Sequence, residues 1–237
     1  MQFLVNPNNE LEQSVLQVPE LVDIPKGLLG LTQQFQEIMM MYSCAIREVK
    51  TKLEVLNDEL SVRNKRNPIE LIKSRVKKPE SIVEKLKRRH YPLTLESLVK
   101  NLDDVAGIRV ICSFVDDIYV VADMLVSQDD VKVIAIKDYI KNPKENGYRS
   151  YHMIVEIPVF FSERKQPMRV EVQIRTMAMD FWASLDHQLK YKKEFINSDT
   201  VERQLKECAE VIAQTDAKML SIRKSLESQG LEVRKHK

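Results

Sequence analysis

The segment from Met168 to Arg175 combines a strand-like pattern with polar side chains that could do chemistry. Glu171, Gln173 and two arginines alternate with methionine, valine and isoleucine. Successive side chains of a strand point to opposite faces, so one face is apolar and the other carries an acid, an amide and cations. Two interpretations fit this pattern: an edge strand with a solvated face, or the floor of an active site with Glu171 as metal ligand or general base.

A basic segment before residue 90 could bind a polyphosphate. Pro79 suits the first turn of a helix, where the N–H that proline lacks would have no partner. In that helix Ser81, Lys85 and Arg88 recur at steps of three and four residues and therefore lie above one another. A hydroxyl, cations and backbone N–H groups near a helix N-terminus can bind the same anion. A solvated basic helix face would have the same residues and is the alternative.

Asp104 and Arg109 flank the start of a second predicted strand. Alternate residues from Ile108 to Phe114 are apolar and face one way, which leaves Arg109 on the opposite, polar face. Asp104 and Glu171 could share a Mg²⁺ ion, which in nucleotide sites takes one or two carboxylates together with phosphate oxygens. The alternatives are a helix or turn cap for Asp104 and a salt bridge for Arg109.

A polar loop from Lys137 to Ser150 interleaves lysines, an arginine and tyrosines. Asn146-Gly147 predicts a tight turn within it. Tyr148 on this basic loop could stack on a nucleobase, or it could pack against the protein. The strand predicted from Tyr151 to Ile157 places His152, Ile154 and Glu156 on one side.

Hydrophobic periodicity predicts helices on both sides of these strands. The predicted order is two helices, then β-α-β-β-β, then two helices. It implies an α+β fold, with a mixed β-sheet of about four to five strands covered by helices and with long N- and C-terminal helices.

Three helical predictions concern the flanks of the sheet. A helical turn is predicted at 68–73. The helix from about Met177 to Lys192 is predicted to bury Phe181, Leu185 and Leu189. The helix from about Thr200 to Ser228 carries an apolar stripe that needs a partner, either the first long helix or another subunit.

Composition excludes several classes of protein. The formal net charge of +2 is nearly neutral, so the chain is not a general binder of nucleic acids. Cys44, Cys112 and Cys208 are odd in number and widely spaced, which predicts buried or free thiols in a reducing cytoplasm, without disulfides or a zinc site. We expect no membrane span, because no apolar run approaches the ~20 residues that a membrane helix needs.

Four motifs in order resemble those of the (p)ppGpp synthetase domain of the RelA/SpoT family, and the whole chain resembles the stand-alone small alarmone synthetases of the RelP and RelQ types. The motifs are Arg75-Val-Lys77-Lys-Pro-Glu-Ser81-Ile-Val-Glu-Lys85, Asp104-Val-Ala-Gly107-Ile-Arg109-Val, Lys144-Glu-Asn-Gly147-Tyr148-Arg149-Ser150-Tyr-His152 and Val170-Glu171-Val-Gln173-Ile-Arg175-Thr176. The resemblance implies that ATP donates its β,γ-diphosphate to the 3′-hydroxyl of GDP or GTP, which leaves AMP.

The resemblance also implies a role for each matching residue. Asp104 and Glu171 would bind Mg²⁺, and Glu171 would take the proton from the 3′-hydroxyl. The residues for ATP would be Arg75 and Arg109 around the adenine and, along the phosphates, Lys77, Ser81, Lys85 and Arg88.

On the acceptor side, Tyr148 would stack on the guanine. Lys144, His152 and Gln173 would line the acceptor pocket. Asp180 lies where some relatives have an asparagine that contacts guanine. Its carboxylate could accept from the N1–H and N2–H₂ groups of guanine, which adenine does not have.

The resemblance further implies a synthetase domain at 31–197, between a loosely ordered arm at 1–30 and a C-terminal oligomerisation helix with a basic tail at 198–237. A homotetramer is expected, and regulatory binding of single-stranded RNA or of (p)ppGpp is a further expectation from relatives. Hydrolysis is not expected, because the family's hydrolase uses a His-Asp pair and this chain has the reverse order at Asp186-His187. An RNA-binding module or a catalytically degenerate nucleotide binder is the alternative function.

Overall fold

Five strands form one mixed sheet in the computed structural model, which describes residues 26–63, 66–191 and 198–229. In chain order the strands are β1 (Ile69–Val76), β2 (Ala106–Cys112), β3 (Lys132–Asp138), β4 (Tyr151–Phe160) and β5 (Lys165–Thr176). Their order across the sheet is β1-β2-β5-β4-β3. Strands β2 and β5 are parallel, and the other neighbouring pairs are antiparallel. The predicted α+β fold with a mixed sheet is confirmed.

The described helices are α1 (Lys26–Arg63), α2 (Pro79–Arg88), α3 (Leu95–Asn101), α4 (Val115–Val126), α5 (Met177–Tyr191) and α6 (Ser198–Ser228). Helix α1 begins at Lys26, so residues 26–30 of the predicted arm are helical, whereas residues 1–25 and the basic tail lie outside the described residues. The chain divides into a segment that ends at Glu37 and a unit that begins at Ile38, and the packing below lies within the second unit. In the part of the chain that the structure describes, no helix is both long enough and apolar enough to cross a bilayer.

The helical turn predicted at 68–73 is wrong, because strand β1 begins at Ile69 and includes the rest of this segment. This strand pairs antiparallel with β2, and Arg75 lies opposite Gly107. Most of its residues are exposed or half-buried, so it lacks the apolar alternation by which a strand is identified from sequence. Backbone pairing with β2, which follows some 30 residues later in the chain, is what makes it a strand.

The edge-strand interpretation of Met168–Arg175 is also wrong. Strand β5 is central, with β2 on one side and β4 on the other. Its apolar residues are buried, as the alternation predicts. On the polar face Glu171 and Gln173 are half-buried, but Arg175 is only 4% exposed.

The stripe predicted to be buried in α5 is instead exposed: Phe181 is 62% exposed, Leu185 39% and Leu189 46%. The buried apolar residues of this helix are Met179 and Trp182, one or two positions away. Periodicity identified an apolar line on the helix. Which line is covered depends on where the neighbouring elements lie.

The first half of helix α6 packs against helix α5 of the same chain. Leu205 and Ala209 pack against Trp182 of α5, and the indole N–H of Trp182 donates to the carbonyl oxygen of Leu205 at 2.9 Å. Its later half buries Asp216 and Arg223 in place of the apolar stripe.

Charged contacts anchor that later half. Arg223 is paired with Asp116 and Asp117 at the start of α4. Asp216 accepts a hydrogen bond from Thr176 at the end of β5, at 2.6 Å. The helix is therefore fastened to the sheet and to α4 as well as to α5.

Gly147 is the residue whose replacement should most disturb the contact between the 137–150 loop and α6. It has a φ of +86°, which confirms the predicted turn, and a Cβ added to it would lie 2.5 Å from the Cβ of Ala209. We expect Gly147→Ala to lower the free energy of unfolding by about 2 kcal/mol or more, from backbone strain and overpacking together. Urea unfolding measures this.

Gly107→Ala is the matched control, because its added Cβ would meet no atom closer than 3.8 Å. An equal loss of stability in the two variants would contradict the assignment of strain to Gly147.

Candidate active site

Two clefts that share Arg75 contain the residues predicted for ATP and metal. The first is lined by residues of β1, β2, β5 and the turn before β2: Lys73, Ser74, Arg75, Asp104, Gly107, Ile108, Arg109, Glu171 and Gln173. The second is lined by the end of β1, by α2 and by one residue of α5: Arg75, Val76, Lys77, Lys78, Ser81, Glu84, Lys85, Arg88 and His187. The fold thus brings together six candidate ATP residues and both candidate metal ligands.

Helix α2 turns its polar residues towards the second cleft because its other face is anchored. Pro79 stands at its first turn, as predicted, and Ile82 and Leu86 are buried. Ser81 and Lys85 therefore face the cleft. Ser81 lies near the helix N-terminus, where the helix dipole adds a partial positive charge, and Lys85 supplies a full charge one turn further along the helix. This arrangement suits an anion.

Asp104 is held by two lysines from different elements. Its Oδ2 lies 3.0 Å from Nζ of Lys77 and 2.5 Å from Nζ of Lys85. Burial by itself would raise the pKa of Asp104, but hydrogen bonds and charge from the two lysines more than offset it, so the pKa is lowered. The carboxylate is ionised at neutral pH.

The other carboxylate oxygen of Asp104 fits a cation. Oδ1 is buried and has no hydrogen-bond partner among the described residues, and Asp104 and Glu171 line the same cleft. The negative charge of Asp104 also tends to raise the pKa of Glu171, and a shared divalent cation would remove that repulsion. Within the described ranges no cluster of three or more His, Cys, Asp or Glu residues could hold a metal alone. A Mg²⁺ ion here would need phosphate oxygens to complete its ligands, as in nucleotide sites.

Glu171 belongs to a closed ring of five side chains. Gln173 Nε2 donates to Glu171 Oε2 at 2.9 Å, and His152 Nδ1 lies 3.4 Å from Glu171 Oε1. His152 Nε2 lies 2.8 Å from the hydroxyl of Tyr148. Arg175 Nη2 closes the ring, at 2.5 Å from the Tyr148 hydroxyl and 2.8 Å from Gln173 Oε1.

Arg175 can only donate, so Tyr148 and Gln173 Oε1 accept from it. The Glu171 carboxylate can only accept, so Nδ1 of a neutral His152 donates to it, and Nε2 of His152 accepts from Tyr148. The imidazole proton then lies on Nδ1, towards Glu171. Both branches of the ring therefore point their donors at the Glu171 carboxylate.

The charges of the ring agree with these directions. Burial lowers the pKa of His152, and the charges of Arg175 and Lys144 lower it further against the effect of Glu171, so the imidazole is neutral at pH 7. Burial would raise the pKa of Glu171, but the contacts of His152 and Gln173 outweigh it, and the net shift is downward. Glu171 is thus an ionised, oriented carboxylate.

Asp180 connects the two sides of the site. Its Oδ1 lies 3.1 Å from Nη1 of Arg109, which lines the first cleft, and 3.2 Å from Nη1 of Arg175 in the ring. One carboxylate oxygen therefore links a candidate adenine residue to the hydrogen bonds around Glu171.

Of the candidate acceptor residues, His152 and Gln173 contact Glu171, and Gln173 also lines the first cleft. The ammonium of Lys144 lies 4.7 Å from the ring centroids of both Tyr139 and Tyr148. Lys144 lines a separate cleft with residues of α6. His152 is the link between Tyr148 and Glu171.

Sequence reasoning gave two residues of this site no role. Arg175 was only one of several polar residues on its strand, and nothing in the pattern distinguished it. His187 lies on the polar side of α5, and its place in the second cleft follows from the packing of that helix.

Comparison with known proteins identifies the family. A family model described as a region found in RelA / SpoT proteins matches residues 74–195. GTP pyrophosphokinase YwaC from Bacillus subtilis (strain 168) is 41% identical over 203 residues, which are 84% of this chain and 95% of that protein. The chain belongs to the RelA/SpoT family. A second RelA/SpoT relative, GTP pyrophosphokinase YjbM from the same strain, is 36% identical over 206 residues, or 86% of this chain and 96% of that protein.

Solved structures confirm the resemblance to small alarmone synthetases within the RelA/SpoT family. The crystal structure of small alarmone synthetase 2 from Bacillus subtilis has a TM-score of 0.73 and 41% identity, and the match covers 81% of this chain and 98% of that chain. The crystal structure of small alarmone synthetase 1 from the same organism, bound to its product pppGpp, has a TM-score of 0.75 and 36% identity. The match covers 82% of this chain and 98% of that chain.

We expect His152 to be neutral at pH 7 with its proton on Nδ1. Because its pKa lies below the usual 6.5, the imidazolium should form only at more acidic pH. Nitrogen-15 NMR of the imidazole, recorded without nucleotide or metal, measures both the charge and the tautomer.

Tyr148→Phe removes the donor to Nε2, so we expect the Nε2–H tautomer to appear in that variant. A wild-type ring protonated on both nitrogens at pH 7 would contradict the assignment.

Proposed function

We propose that the chain transfers the β,γ-diphosphate of ATP to the 3′-hydroxyl of GDP or GTP, giving ppGpp or pppGpp and AMP. One observation carries this proposal: Glu171 lies in the cleft of the candidate ATP residues and is also bonded into the ring that contains Tyr148 and His152. A general base for this reaction must reach the acceptor hydroxyl at the place where that hydroxyl meets the transferred diphosphate. The relatives named GTP pyrophosphokinase support the same reaction.

Diphosphate transfer depends mainly on positioning and on neutralisation of charge. Lys77, Lys85 and Arg88 supply cations along one cleft, and Ser81 supplies a hydroxyl. Asp104 and Glu171 would hold Mg²⁺, which when bound supplies charge neutralisation at the transferred phosphates. The lysines already adjoin Asp104, so cations and carboxylate share the same small region.

Arg75 and Arg109 can flank an adenine because they extend from neighbouring strands. Arg75 lies opposite Gly107, and Arg109 follows Gly107 by two residues on the same strand face. Gly107 lines the cleft and has no side chain to fill it. Planar guanidinium groups stack on purines and stay charged at any physiological pH.

Glu171 is the proposed acceptor of the proton from the 3′-hydroxyl. We expect Glu171→Gln to lower kcat at least ~100-fold, because the amide cannot take a proton. The assay mixes ATP, Mg²⁺ and GDP and separates the nucleotides, and AMP with guanosine tetraphosphate is the expected wild-type result. Formation of ADP in place of AMP would contradict diphosphate transfer.

Glu156→Gln is the matched control, since Glu156 is a half-buried carboxylate on neighbouring strand β4 that pairs with Arg169 outside the ring. We expect it to retain activity.

We also propose synthesis without hydrolysis, on the basis of the reversed Asp186-His187 order. Release of diphosphate from purified guanosine tetraphosphate would contradict that part.

We propose that Asp180 recognises the guanine base. Its carboxylate can accept from N1–H and N2–H₂ together, whereas inosine diphosphate offers only N1–H. We expect the wild type to prefer GDP to inosine diphosphate about 10-fold in kcat/KM, from one charge-assisted hydrogen bond. Asp180→Leu should lose most of this preference.

Asp180→Asn keeps one oxygen acceptor and serves as the intermediate case. An acceptor preference that stays the same in Asp180→Leu would contradict the role.

We propose a homotetramer as the assembly. Phe181 and Leu185 on α5 and Met219 and Ile222 on α6 are exposed apolar residues, and clustered exposed apolar side chains mark interfaces. We expect light scattering to give a tetramer for the wild type and a smaller species for Phe181→Glu. Val120→Glu, at an exposed position of α4, is the control. A monomeric wild type would contradict the assembly.

A further inference from the structure

Arg175 is a buried cation with a bond from each of its nitrogens. Nε donates to the hydroxyl of Ser150 at 3.2 Å, and Nη1 donates to Asp180 at 3.2 Å. Nη2 donates to both Tyr148 and Gln173. With 4% of its surface exposed, Arg175 cannot exchange these partners for water.

A single nitrogen of Arg175 joins two candidate acceptor residues that are far apart in sequence. Tyr148 belongs to the 137–150 loop, and Gln173 belongs to β5. The guanidinium carbon also lies 5.1 Å from the centroid of the Tyr148 ring. Arg175 therefore ties the tyrosine ring to β5, in addition to the bond that ties it to His152 on β4.

We propose that Arg175 is a positioning residue for the acceptor nucleotide: it holds the Tyr148 ring and the Gln173 amide in the arrangement that binds GDP or GTP. This inference rests on the proposed function, because it assigns the guanine nucleotide to this side of the site. Arg175 acts through its partners and does not itself touch the nucleotide.

The geometry requires the forked shape of arginine as well as its charge. The bonds to Ser150, Asp180 and the Tyr148–Gln173 pair leave the guanidinium from different atoms of one plane. The single ammonium of a lysine cannot reach these directions at once. With the ring and the amide held in advance, less side-chain entropy is lost when the nucleotide binds.

Trp182 provides the readout. It is the only tryptophan in the chain, and its ring centroid lies 6.5 Å from that of Tyr148. Tryptophan fluorescence can therefore follow GDP binding without Mg²⁺ and without turnover. Calorimetry with a non-hydrolysable ATP analogue measures the Kd for the donor nucleotide, for comparison.

The experiment is a double-mutant cycle on Arg175→Lys and Tyr148→Phe. Ser150→Ala is the control: it removes the Nε bond and the bond from Ser150 to the carbonyl oxygen of Ile174, and it leaves the two acceptors of Nη2 in place. We expect each of the two variants to raise the Kd for GDP about 10-fold, the scale of one hydrogen bond to a charged group. The Kd for GDP in Ser150→Ala should differ from the wild-type value by less than about threefold. The Kd for the ATP analogue should also change by less than about threefold in each variant. In the double variant the loss should be close to that of one single variant, because both remove the same contact.

Two results would overturn the proposal. One is a Kd for GDP in Arg175→Lys that stays within twofold of the wild-type value. The other is a Kd in the double variant that rises by the product of the two fold-increases measured in the single variants. If Arg175→Lys fails to fold, Tyr148→Phe decides alone, because it keeps the ring and loses the hydroxyl that bonds Arg175 and His152; an unchanged Kd then overturns the proposal. A wild type that neither binds GDP nor forms AMP overturns the proposed function too, whereas an active wild type with unaffected variants overturns only the role of Arg175.

Discussion

The parallel pairing of β2 with β5 is the contact on which the candidate site depends. It sets Gly107 beside Glu171 and Arg109 beside Gln173. Parallel strands need a long crossover, and here α4, β3 and β4 form it, which also places β4 on the far side of β5. Since β1 pairs with β2 and β4 pairs with β5, the donor and acceptor candidates meet on one sheet face with Glu171 between them.

Charge compensation is the second constraint. A buried ion is unfavourable unless it is paired and hydrogen-bonded, and each buried ion of this site has such partners. Asp104 has two lysines, Arg175 has Asp180, and Glu171 has the donors of the ring. Replacing such a buried ion pair with apolar residues of similar volume would leave the protein about as stable. Stability therefore does not explain this density of ions, which indicates a functional site.

Helix α6 is part of the site's support. Gly147 lies against Ala209, and Arg149 donates to the carbonyl oxygen of Ala209 at 3.2 Å. Tyr148 packs on the cluster that Trp182 forms with Leu205 and Ala209. The loop that carries the candidate guanine-stacking residue is therefore held by a helix more than 50 residues later in the chain. A role for α6 in oligomerisation would be additional to this contact.

Local residue patterns were enough to predict the strands with regular alternation, the helix that begins at Pro79, the tight turn at Gly147 and, through four motifs, the family. These depend on neighbouring residues, whose spacing fixes which faces are apolar. Tertiary structure alone decided that Ile69–Val76 is a strand, which line of α5 is buried, and that Arg175 closes the ring to which Glu171 belongs. These features arise from contacts between segments distant in sequence, and local periodicity carries no information about which partner covers a given face.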